Sequence, residues 1–115
     1  MTKKELSQLF WLNKEIGELQ KELRNLETSF YSSPFINWEI KDLKGLIALK
    51  LKQVQKQRYK LEQFIDGIED SQVRLIFRLR HVNGLYWEQI GNEIGYSKDG
   101  VRKRYLREMR RLASQ

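Results

Sequence analysis

The sequence predicts an all-α protein: a long N-terminal helical hairpin over residues 1–68, followed by a compact three-helix module over residues 69–115. Three observations carry that expectation. From Leu9 onward, leucines and isoleucines recur at spacings of three and four, the period of a helix face and not of a strand. The only proline, Pro34, follows Ser32 and Ser33 between the two longest periodic segments, where a residue with no N–H to donate separates helices. From residue 66 onward the chain carries shorter apolar stripes, punctuated by Asp66-Gly67, Asn83-Gly84 and Gly95-Tyr96-Ser97, residue types that cap and turn helices.

Thr2 followed three residues later by Glu5 has the form of a capping box, so the first helix starts there. Leu9, Leu12, Ile16, Leu19, Leu23, Leu26 and Phe30 then make a coiled-coil-like seam. Gly17 weakens it by about 1 kcal/mol relative to Ala and is a candidate for a close crossing. Ser33, pushed out of the α region by the proline after it, ends the helix. Asn37 is the expected cap of a second helix reaching about Asp66, with Ile40, Leu43, Ile47, Leu51, Val54, Leu61 and Ile65 on one side. A single short loop favours an antiparallel hairpin. Heptads alone do not say whether the partner of the seam is the same chain or a second copy, so a homodimer through the long helices is the alternative. Leu46 and Leu49, off the main stripe, lead us to expect some self-association. Trp11 and Trp38 flank the stripe as expected packing anchors.

Asp70 can cap a third helix through about His81, with Val73, Ile76 and Phe77 on one face and Leu75, Leu79 and Val82 on another. A helix that is apolar on two faces packs between neighbours. Asn83 and Gly84 supply its terminal turn, and His81, beside Arg80, fits a helix end where the dipole favours a cation.

Trp87, Ile90, Gly91 and Ile94 mark a short amphipathic helix. Gly91 falls where its neighbours lie close, so that a side chain larger than a methyl would wedge them apart, and Gly95 falls where the turn wants a positive φ. Ser97 caps the next helix, which begins at Lys98 and carries Asp99 at its positive end. Val101, Tyr105, Met109 and Leu112 form its apolar stripe, and Lys98, Arg102, Lys103, Arg104, Arg107, Arg110 and Arg111 occupy the other faces. Two helices joined by a tight turn, the second strongly basic, read as helix-turn-helix.

Gly84, Trp87, Glu88, Ile90, Gly91, Ile94, Gly95, Tyr96, Ser97, Val101, Arg104 and Arg107 together resemble region 4 of bacterial sigma factors. One departure is Tyr86, which stands where that family usually has a capping Ser or Thr. The resemblance implies binding to double-stranded DNA. It places Lys98, Asp99, Arg102 and Lys103 on the bases, Arg102 being best suited to the O6 and N7 acceptors of guanine. Trp87, Ser97, Arg104, Arg107, Arg110 and Arg111 are expected on the DNA backbone, the arginines by their charge. A helical N-terminal part with such a terminal module also resembles small phage and prophage transcriptional regulators of the ArpU and RinA kind. That implies control of late phage genes, with or without contact to RNA polymerase. Two alternatives stay open: a small terminase subunit for DNA packaging, and an interaction module that binds polymerase without reading DNA.

Charge agrees with an anionic partner. The net charge is +7, and residues 97–115 hold seven Lys or Arg against Asp99 and Glu108, so most of the excess lies on the last helix. With no cysteine and one histidine, neither thiolate metal sites nor the usual nucleophile–base pairs are available, and Glu15, Glu18 and Glu22 have ordinary solubilising spacing. No enzymatic activity, cofactor or metal is expected. The opening MTKKEL has no apolar signal core, and no apolar run approaches the roughly 18 residues that span a bilayer. Cytoplasmic residence without a membrane partner is the corresponding expectation.

Overall fold

The computed structural model describes residues 1–29 and 34–113, and among these the chain is five α-helices with no strand. They are α1 (Lys3–Glu27), α2 (Pro34–Asp66), α3 (Ser71–His81), α4 (Trp87–Ile94) and α5 (Lys98–Ala113). None is long and apolar enough to cross a membrane. Phe30, Ser32 and Ser33, expected to close the first seam and end its helix, lie outside the described residues.

The capping box of α1 is complete: Glu5 N donates to Thr2 Oγ1 at 3.1 Å, and Thr2 N to Glu5 Oε1 at 3.4 Å. α2 begins three residues before the expected cap, so Asn37 lies inside its first turns. The reason is Pro34, whose preset φ suits the first helical position and whose missing N–H has no partner there to lose. The hairpin is antiparallel, since Glu5, Glu15 and Glu27 of α1 pair in turn with Lys60, Lys50 and Lys44 of α2, at 3.8, 2.8 and 3.8 Å. These pairs are mostly solvated and mark register more than stability.

Burial along the hairpin is uneven. Leu6, Leu9, Phe10 and Ile16 are buried near its base, whereas Leu12, Leu19, Leu23 and Leu26 are only half-buried towards its tip. Phe10, absent from the expected seam, takes an inward position, so Trp11, about 100° further round the helix, points out and is 58% exposed. Trp38 is 73% exposed, and neither tryptophan is a packing anchor. Gly17 has open space around its Cα and marks no close crossing. The outer face of α2 leaves Phe35, Trp38, Leu46 and Leu49 in solvent.

Asp70 Oδ1 accepts from Gln72 N at 2.9 Å and Val73 N at 3.1 Å, capping α3. Ile76 and Phe77 are fully buried, while Leu75 faces water, so the second apolar face of α3 is narrower than expected. Arg78 grips Glu62 of α2 with two bonds, at 3.1 and 2.6 Å. One continuous core then runs from Leu6 and Leu9 through Leu61, Ile65 and Ile68 to Ile76, Phe77, Ile90, Val101 and Tyr105. Ile68, at the expected domain boundary, is 1% exposed and belongs to that core. Packing therefore fuses the hairpin base to the three-helix module, and only the distal hairpin projects, giving extents of 55 × 28 × 18 Å.

His81 departs from its expected role as a helix-end cation. It is buried, its Nε2 lies 2.8 Å from the Tyr105 hydroxyl, and its ring sits beside Phe77. Burial, reinforced by the neighbouring Arg80 charge, lowers its pKa to about 4, so it is neutral at physiological pH.

Candidate nucleic-acid interface

α4 and α5 meet at a turn made by two glycines. Gly95 adopts φ 78 and ψ 29, the left-handed region expected for it, and the N–H groups of Gly95 and Tyr96 both donate to Gly91 O at 2.9 Å. Gly91 is tighter than the sequence suggests. A Cβ there would stand 2.5 Å from Tyr96 O, so this backbone excludes even a methyl, and the close neighbour is the turn itself. Ser97 Oγ accepts from Gly100 N at 3.0 Å and caps α5, with Asp99 in the first turn.

These constraints fix which faces of α5 are wet. Val101 and Tyr105 are buried, with Met109 and Leu112 half-buried behind them. Lys98, Asp99, Arg102 and Lys103, the expected base readers, are all exposed, as are Arg107 and Arg110. One exposed face thus presents three cations within the first two turns of a capped helix.

The other expected backbone contacts are engaged within the protein. Arg104 turns inward: its Nη1 donates to Gln72 Oε1 of α3 and its guanidinium lies 4.6 Å from the Tyr96 ring, while Gln72 Nε2 donates to the Tyr96 hydroxyl at 3.2 Å. Arg104 therefore ties α3, the turn and α5 together. Arg111 pairs with Glu108 at 2.7 Å, which offsets its charge. Trp87 is half-buried, its ring 4.8 Å from Tyr105 and 4.0 Å from the Arg80 guanidinium. Ser97 is committed to capping as an acceptor, although its hydroxyl hydrogen remains able to donate.

Sequence reasoning missed Arg80, Phe10, Lys14 and Gln72. Arg80 lies between Phe10 at 3.6 Å and Trp87 at 4.0 Å and donates to Leu85 O at 3.1 Å. Burial holds its pKa below the ordinary guanidinium value. The Lys14 ammonium sits 3.9 Å from the Tyr86 ring centre. These contacts lock α1 of the hairpin against the start of α4, and no local pattern announces them because the partners are distant in sequence. Tyr86 gives α4 no side-chain cap, as expected; instead Gln89 Oε1 accepts from Tyr86 N at 2.8 Å. Compared with protein-family models, with curated proteins and with solved structures, the chain matches none.

Proposed function

We propose that this protein is a sequence-specific, double-stranded DNA-binding transcriptional regulator that lays α5 in the major groove. The observation that carries the reading is the sidedness of α5: a buried Val101–Tyr105 face opposite an exposed one bearing Lys103 and Arg107, with Arg102 at its flank and Lys98 exposed at the helix start. In this reading Lys98, Asp99, Arg102 and Lys103 meet base edges, while Arg107 and Arg110 meet phosphates, with Ser97 and the edge of Trp87 beside them. Arg104 holds the module's shape through Gln72 of α3, and Arg111 is offset by Glu108 of its own helix. By its resemblance to phage regulators of the ArpU and RinA kind the protein is phage-encoded and acts on late genes, with or without contact to RNA polymerase, in the cytoplasm that its cysteine-free composition fits. The reading involves no catalytic step.

Binding to duplex DNA is then expected to fall steeply with salt, each phosphate contact adding roughly 0.9 to the log–log slope. Arg102→Ala is expected to lose about 1 to 3 kcal/mol on the cognate site and to relax preference at one base pair. Arg110→Ala should instead weaken specific and scrambled duplexes alike. Titrations of both duplexes across a salt series check all three outcomes. A flat salt response with capture of a polymerase subunit would replace this reading with the interaction module.

The exposed Phe35, Trp38 and Leu49 favour a second reading, an oligomeric DNA-packaging subunit of the small-terminase kind. In either case the hairpin is expected to self-associate, as a dimer for the regulator and as a larger ring for the packaging subunit. Sedimentation over a concentration range checks this, with Trp38→Glu plus Leu49→Glu expected to return the chain to a monomer. A concentration-independent monomeric mass for the unaltered chain would remove the expectation.

A further inference from the structure

A groove of about 510 Å³ lies between α1 and the start of α4, walled by Phe10, Trp11, Tyr86 and Trp87 and reaching Lys98 at its edge. Trp11 stands over it with more than half its surface in water, unusual for a side chain with so much apolar area to bury. One edge of it nonetheless touches the core. The Trp11 ring meets Phe10 edge-on at 5.2 Å, and Phe10 is buried beneath the Arg80 guanidinium that also stacks on Trp87. The groove's charged lining is Arg80 and Lys98 against Glu88, a net positive wall. Lys98 belongs at once to this groove and to the exposed face of α5, so the two surfaces are continuous.

We propose that Trp11 and its groove grip the sugar–phosphate backbone flanking the base pairs read by α5, which makes the hairpin base part of the DNA interface. The proposal rests on the DNA-binding reading above. A duplex seated on Lys98 and Arg102 carries a strand past the mouth of this groove. An indole suits that strand, because its face covers the apolar deoxyribose while Nε1–H, a donor only, reaches a phosphate oxygen. The positive wall and its continuity with α5 favour nucleic acid over a protein partner.

The test uses the full chain with Trp11→Ala and Trp11→Phe on a long duplex, on a scrambled duplex of equal length, and on a short duplex that ends before the groove. Trp11→Ala is expected to bind both long duplexes about tenfold more weakly. The salt slope should not change, because no charge is removed, and Trp11→Phe should recover part of the loss. On the short duplex all three proteins should bind alike, and thermal unfolding should be unchanged because Trp11 is exposed. Equal affinity of the unaltered chain and Trp11→Ala for the long duplexes overturns the proposal while leaving the DNA-binding reading intact. Failure of the unaltered chain to bind any duplex removes both. Loss of polymerase capture in Trp11→Ala, with duplex binding preserved, assigns the groove to a protein and also overturns the proposal.

Discussion

Phe77→Ala is expected to destabilise the hairpin and the helix-turn-helix together, in one transition, by about 3 to 5 kcal/mol. Phe77 is fully buried, stacks on Tyr105 of α5 at 4.5 Å, and meets Phe64 of α2 at 5.8 Å. Its removal opens a cavity shared by both halves, and the loss is a large fraction of the roughly 5 to 15 kcal/mol that a domain has in total. Denaturant titrations followed in parallel by helical circular dichroism and tryptophan fluorescence check this. The two signals should move together, before and after substitution. Separate transitions, with only the second shifted, would mark the boundary at residues 68/69 as a true domain boundary.

Acidification is expected to weaken the fold well above the pH at which carboxylates titrate. Because His81 has a pKa of about 4 in the folded chain against an ordinary 6.5, the unfolded chain binds a proton that the folded chain refuses between those values. The contribution of neutral His81 is complete above pH 6.5 and falls as the pH drops through the window, by about 3 kcal/mol in all. Glu62, held below the usual carboxylate range first by its hydrogen bond from Arg78, acts only at the acid end of that window. Urea midpoints measured at intervals from neutral pH to pH 5 isolate the histidine. His81→Gln should be less stable at neutral pH, since Tyr105 loses a well-placed partner, yet flatter across the interval. Unchanged midpoints in the unaltered chain would mean that His81 accepts a proton without leaving the core.

Much of this architecture can be read from neighbours in sequence. Thr2, Asp70 and Ser97 cap helices because their acceptors reach N–H groups two or three residues on, and such reach is local. Gly95 is legible for the same reason, and the 100° step of a helix suffices to place Val101 inward and Arg102 outward. The contacts that orient the interface are of another kind. Arg104 with Gln72, Arg80 with Phe10, and His81 with Tyr105 each join separate helices, and periodicity along one helix carries no information about its neighbour's azimuth. Pro34 illustrates a further ambiguity, since the same residue that stops one helix is well suited to start the next. Trp11 and Trp38 lie in solvent where a packing role is expected, because a stripe of leucines does not say how wide the buried face is.

The unbroken core between hairpin base and α5 has a mechanical consequence. α2, with 33 residues, is about 50 Å long, and it is clamped at one end instead of hanging from a tether. Such an arm is a lever: a tilt of about 5° at its root displaces the tip by about 4 Å. Two copies joined through their tips would hold their three-helix modules at one fixed separation and phase, as a rigid caliper does. Inserting half a helical turn of DNA, about 5 base pairs, between paired half-sites should then abolish joint binding outright, whereas a tethered arm would absorb the change.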